Sequence, residues 1–281
     1  MAIETKPVEQ VVERVTRKAL AATKLKTKDI AQIPVQIRDR ALFSAAVDDI
    51  RTIQSMHDKL AEWSDDLTKN PDRAIINRGK FVAEMRQELG AAPGDTGDIE
   101  DLTSDRRLSL IYNFQTEDAA GYADWVNGQD PDVLDAFPAQ ELLRVEEREV
   151  PRGFKKVKGG LAVAPGESWP DRWEEAGGEL TDDGRMIALK TDPIWADISA
   201  FDRPWPPFDF ESGMGVRDIA RDEAEELGLL EKDAELEPMK SPFNENLSAS
   251  ASGIGGGFLG LLKDWFGGSV KIGGDEIAWQ G

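Results

Sequence analysis

The chain has 281 residues, with 54 Asp or Glu against 34 Lys or Arg, a formal net charge of −20. A chain this acidic repels phosphate backbones, which argues against general or sequence-specific nucleic-acid binding. It has no cysteine and a single histidine, His57, so disulfides, zinc–thiolate centres, iron–sulfur clusters, cysteine nucleophiles and multi-histidine metal sites are excluded.

Hydrophobic residues make up 40%, beside 26 Gly and 15 Pro. That many chain breakers points to modules joined by loops rather than one dense globule. Cysteine-free composition fits a reducing cytoplasm. Residues 1–40 hold nine bases against five acids, and 209–237 hold eleven acids against three bases. The two ends therefore suggest docking surfaces of opposite sign, with ordinary solubility as the plainer reading. Met1 to Gln10 has no apolar signal core. No run of about 18 apolar residues occurs, so no membrane span is expected.

In chain order, Val8, Val11, Val12, Val15, Ala19 and Ala22 mark an amphipathic helix over 7–25, with Pro7 in its first turn and Arg14, Arg17 and Lys18 on the outer face. After Pro34 the period resumes through Ile37, Ala41, Val47, Ile50, Ile53, His57, Leu60 and Leu67, predicting a helix over 36–68 that Asn70-Pro71 ends. A short helix over 77–89 carries Phe81, Met85 and Leu89, with Gly90 as its stop. Residues 91–102 read as a loop. Thr103 or Ser104 then caps a helix to about Asn127, with Leu108, Ile111, Gln115, Ala119, Tyr122 and Val126 on one face.

Beyond Pro131 the texture changes. Residues 140–150 suit strand or helix, with strand favoured near the end. Residues 151–170 form a Pro/Gly-broken loop, and Trp169 and Trp173 flank a short helical turn. Asp182-Asp183-Gly184 before Met186-Ile187-Ala188-Leu189 is a hairpin signal. Residues 191–217 hold Trp195, Trp205 and Pro206-Pro207 and read as ordered loop. An acidic helix follows at 220–227, stopped by Gly228. The segment from 231 is linker-like, then Ser/Gly-rich, and ends in an apolar stretch from Gly253 to Val270.

Few stretches offer chemistry. Gly255, Gly257 and Gly260, with Asp275 beyond them, match a dinucleotide-type spacing, but a Ser/Ala-rich linker precedes them where that fingerprint needs a strand. His57 aligns with Ile50, Ile53 and Leu60 and reads as a packing residue rather than a general base. Asp209, Glu211 and Asp218 would have to share one cleft to serve as acid and base or hold a cation. Phe258, Leu261, Leu262, Trp265 and Phe266 gather on one side of a helix that can lie on a membrane surface or plug a partner's groove, and docking on its own fold or on a partner is favoured over the membrane.

Arg107-Leu108-Ser109-Leu110-Ile111-Tyr112-Asn113 opens a helix running through Thr116, Ala119, Ala120, Gly121 and Trp125. Asp192-Pro193-Ile194-Trp195, Pro206-Pro207 and Gly213-Met214-Gly215-Val216-Arg217-Asp218 follow. This order resembles the phage Mu F-like family of minor head, or head morphogenesis, proteins over roughly 100–230. That family commonly closes the block with an Asn-Cys-Arg-Cys type sequence, where this chain reads Phe208-Asp209-Phe210-Glu211-Ser212-Gly213, as a divergent branch would. The resemblance implies a structural protein near the portal of the procapsid, needed for head assembly and in some cases carried into the host with the DNA.

The sequence thus predicts an α+β chain: a helical region at 1–90, a small mixed α/β domain with a β-hairpin at 103–230, and an extended linker and glycine-rich apolar tail at 231–281. The expected function is structural, without catalysis, cofactor or metal, in the virion at the head interior or portal vertex after assembly in the bacterial cytoplasm. Portal or capsid subunits are the expected partners, with several copies per particle. Trp195, Pro206, Pro207 and Arg217 are expected to shape the middle domain, Arg106 or Arg107 to pair with its acids, and Phe258 and Trp265 to dock the tail. A carboxylate hydrolase carried in the virion, or a membrane-active ejection protein working through the tail, are the alternatives.

Overall fold

A computed structural model describes residues 6–69, 77–94, 97–146, 154–157, 160–163, 168–232, 234–239, 248–250, 256–274 and 276–279. Helices and small sheets make it an α+β protein. Its contacts fall into two compact units, Met1–Ala123 with Lys240–Gly281, and Asp124–Met239. The division lies inside a long helix rather than in the 91–102 loop.

The first unit begins with α1 (Lys6–Thr16), β1 (Ala19–Leu20), α2 (Thr27–Ile30), α3 (Val35–Arg38) and β2 (Ala41–Leu42). Then come α4 (Ile50–Lys69), α5 (Asn77–Glu88) and α6 (Asp105–Gly128), the helix that crosses into the second unit. Val11 and Val15 of α1, Ile53, Met56, Leu60 and Trp63 of α4, Phe81 and Met85 of α5, and Leu108 and Tyr112 of α6 form one core. Gly90, at φ 64, stops α5 as expected. Ser104 caps α6 by accepting the Arg107 N–H at 3.1 Å.

Three expectations are corrected here. The helix expected over 7–25 ends at Thr16, and Ala19–Leu20 pair as β1 instead. The single helix over 36–68 is interrupted, because 39–49 leaves the helix to run β2 beside β1 in parallel. Ala46, at φ 59, lies inside that interruption. The outer-face placement of Arg14 and Lys18 is also overturned. Arg14 is 0% exposed and Lys18 8%. Arg14 Nε and Nη2 each donate to Asp118 at 3.1 Å, and Lys18 Nζ donates to Asp118 at 3.0 Å and to Gln115 at 2.8 Å. Asp118, itself 0% exposed, thus fixes two buried cations to α6. Only Arg17 of the three remains outside, paired with Glu13.

The chain returns to this unit as β8 (Ser248–Ser250), α11 (Gly256–Phe266), β9 (Val270–Gly273) and β10 (Glu276–Trp279). The strands form an antiparallel sheet in the order β8-β10-β9. Leu262, Trp265, Phe266, Val270 and Ile277 pack on Ala21, Ile33, Ile37 and Ala41. The apolar tail segment therefore docks on its own fold.

The second unit holds α7 (Pro131–Ala136), β3 (Ala139–Arg144), β4 (Phe154–Val157), β5 (Gly160–Val163), α8 (Trp169–Glu175), β6 (Met186–Leu189), α9 (Ile194–Asp197), β7 (Met214–Ile219) and α10 (Arg221–Glu226). An antiparallel sheet in the order β6-β3-β7 is its centre. A strand occupies the start of the 140–150 stretch, and its end, 147–150, where strand was favoured, lies outside the described residues. The expected 151–170 loop contains an antiparallel hairpin of β4 and β5. The Asp182–Gly184 turn is present, but β6 meets residue Leu180 in a single bridge and spends its length on β3.

Candidate functional site

Of the residues behind the family resemblance, those from 192 onward build the core of the second unit, while the helix from Arg107 to Gly121 belongs to the first. Asp192 Oδ1 accepts the Ile194 N–H at 2.8 Å, which starts α9 and turns Trp195 inward. Trp195 is 0% exposed, and its Nε1 donates to the Leu189 carbonyl at 2.8 Å, so the buried indole leaves no unpaired donor. Its ring meets Trp173 edge-on at 5.3 Å and Phe208 at 6.0 Å. Trp173 Nε1 in turn donates to the Glu179 carbonyl at 3.1 Å. Gly178 runs so close to this pair that an added methyl would collide with the Trp173 ring and the Ile194 side chain.

Trp205, 2% exposed, packs on Trp125 with ring centroids 5.2 Å apart. Pro206 and Pro207, joined by a cis bond, carry the chain from Trp205 to the buried Phe208. The Ala200 N–H donates to the Phe208 carbonyl at 2.8 Å, closing the loop on itself. The stretch 191–217, expected to be an ordered loop, is ordered and held by its aromatics, but it contains α9 and runs into β7 from Met214.

A charged lattice covers the sheet. Glu141 of β3 stands opposite Arg217 of β7 in the ladder. Its carboxylate accepts from Arg217 and, at 2.9 Å, from Arg185, which reaches Glu223 of α10 at 2.9 Å. Burial pushes the Glu141 carboxyl up, but hydrogen bonds and charge from Arg185 and Arg217 outweigh it and hold the group below the usual range. Arg221 of α10 ties Asp135 at 2.7 Å. The eleven acids of 209–237 are therefore partly neutralised within the unit.

The candidate carboxylates do not converge on a common cation. Asp209 pairs with Arg172 at 3.2 Å, Asp218 with Lys190 at 2.8 Å, and Glu211 is exposed. Among the described residues no group of three acidic or histidine side chains is placed to hold a metal ion. Gly257 and Gly260 of the dinucleotide-like motif lie in α11, and the nearest described element before it is strand β8. The next strand, β9, is separated from β8 by antiparallel β10, whereas a dinucleotide site needs adjacent parallel strands. Gly255 and Asp275 are outside the described residues.

The remaining residues lie in the first unit. Among the described residues Arg107 makes no ion pair. Its guanidinium donates to the Ile99 carbonyl at 3.1 Å, to Ser44 Oγ at 3.0 Å and to the Ala45 carbonyl at 2.8 Å, and burial lowers its pKa. These bonds hold down the interruption that divides the expected 36–68 helix. Arg106 is exposed. His57 is half-buried on α4, its Nδ1 3.6 Å from Asp58. Trp265 stacks on Phe43 at 6.3 Å and donates to the Ala22 carbonyl at 3.3 Å. The Phe258 side chain is outside the described residues. Sequence reasoning missed the Arg14–Lys18–Asp118 cluster and the central role of Glu141. The available signal was the polar pair Gln140 and Glu141 set beside the apolar Leu142 and Leu143 of the same strand.

Compared with protein-family models, with curated proteins and with solved structures, the chain matches none. Its functional reading therefore rests on its own residues and geometry. Among the described residues no helix is long and apolar enough to cross a membrane.

Proposed function

We propose that the chain is a structural minor head protein of a tailed phage or prophage, bound in several copies to portal or capsid subunits and acting in head assembly and DNA ejection. The observation that carries this reading is how the family-like block spends its residues. Trp195, Trp205 and Phe208 fill a core, while Arg217, Asp209 and Asp218 are held in ion pairs within the same unit. Such a block is a pre-ordered scaffold that meets a partner without paying to fold first. No cofactor enters the proposal. The tail's main apolar side chains, Leu262, Trp265 and Phe266, are turned onto their own unit, which favours assembly over membrane insertion.

The test is quantitative mass spectrometry of purified particles from an expressing strain. The expected result is a fixed ratio of this chain to the portal subunit in every preparation. Particles that contain portal and capsid subunits but none of this chain would overturn the proposal.

A further inference from the structure

Five large hydrophobic residues are exposed among the described residues, and two of them, Val145 and Phe210, flank the same turn of the second unit. The Val145 N–H donates to the Gly213 carbonyl at 2.9 Å, two residues from the end of a turn that begins at Phe210. Phe210 is 39% exposed and Val145 60%. Phe210 is nonetheless not loose. Its ring stands edge-on to Phe201 at 4.8 Å, and the buried Arg203 guanidinium lies 5.0 Å from the Phe201 ring, backing it from inside.

The backbone is bent to present this pair. Among the described residues three non-glycine residues have positive φ, and two of them, Asp202 at 55° and Glu211 at 47°, directly follow Phe201 and Phe210. A left-handed backbone is disfavoured at a residue with a side chain and persists only where the surrounding structure holds it. The rim is acidic: Asp202, Glu211 and Glu146 are all exposed. The nearby Arg144 turns its guanidinium onto the carbonyls of Glu146 and Ser212. A rigid exposed aromatic inside a polar ring is the make-up of a binding hot spot.

We infer that the exposed Phe210, backed by Phe201, is the docking point of the second unit, and that its partner is a protein surface with an apolar pocket ringed by basic side chains. The acidic rim and the net charge of −20 both select a basic partner and disfavour a second copy of this chain. The inference rests on the minor head reading, since it names the chemistry of the particle surface that this unit would meet.

The experiment places the photo-reactive p-benzoylphenylalanine at position 210, and separately at position 227 as an equally exposed control, in cells that assemble particles. The expected result is an adduct at 210, absent at 227, whose peptide lies beside lysines or arginines in a head protein. No adduct at 210, the same adduct from both positions, or a self-adduct would overturn the inference. Wild-type particle content, read in parallel, decides the minor head reading independently. In the same cells Phe210→Ala should lower incorporation at least about tenfold, as loss of a hot-spot side chain does. Glu211→Lys should weaken it severalfold with an unchanged melting temperature, and full incorporation of both variants would also overturn the inference.

Discussion

At the residue scale, the large aromatics and the buried charges decide stability. Trp195→Ala should cost about 3–5 kcal/mol, because it removes a fully buried indole and its hydrogen bond together. Chemical denaturation followed by fluorescence measures this, and a loss under 1 kcal/mol would show that the ring is not central. Gly178→Ala should lower the melting temperature although Ala is the better helix and chain former, since its methyl has nowhere to go beside Trp173 and Ile194. Glu141 makes a pH prediction. Its carboxyl is held below the unfolded value of about 4.3, so its contribution is complete above that pH and is lost as pH falls through the lower folded value. Glu141→Gln should therefore lower stability at neutral pH and flatten the acid limb of the stability curve. An unchanged acid limb would place the proton uptake elsewhere.

At the scale of elements, local rules read correctly where local forces decide. The α5 and α6 helices begin and end near their signals, because apolar spacing, the Ser104 cap and Gly90 act within one or two turns. The expected 36–68 helix failed for the opposite reason. Residues 39–49 contain no proline or glycine, and Ala41 and Val47 keep the helical period. The interruption is instead fixed from outside, by pairing with β1 and by Arg107 binding Ser44 and Ala45. Arg14 and Lys18 were misplaced likewise, since their shared partner Asp118 is about a hundred residues away and polarity alone sends a charge to the surface. Asp118→Ala should cost about 3–5 kcal/mol by removing the buried carboxylate that Arg14 and Lys18 share, although Arg14 keeps its ion pair with Asp39 and Lys18 its bond to Gln115. A milder loss in chemical denaturation would mean that water reaches the cluster.

On the scale of the whole molecule, the α+β class was legible from composition and period, while the pairing of distant segments was not. No pattern in 19–43 announces that Leu262 and Trp265 will cover Ile33 and Ile37. The same limit applies to the candidate site. Its tryptophans and prolines were visible as a block, whereas the Glu141 lattice and the Phe201–Phe210 pair depend on strand register and turn geometry. Truncation after Met239 should therefore raise hydrogen exchange across 19–43 while leaving 139–144 and 186–189 protected. Equal loss of protection in both places would mean that the two units fold as one.

The discontinuity of the first unit also sets an order of events during synthesis. Residues 124–239 are contiguous, so that unit can finish folding on the ribosome while later codons are still being read. The first unit, although its N-terminal part emerges earlier, stays open until Ile277 has been made. Until then its nascent face of Ala21, Ile33, Ile37 and Ala41 has no cover and is a surface that chaperones would hold.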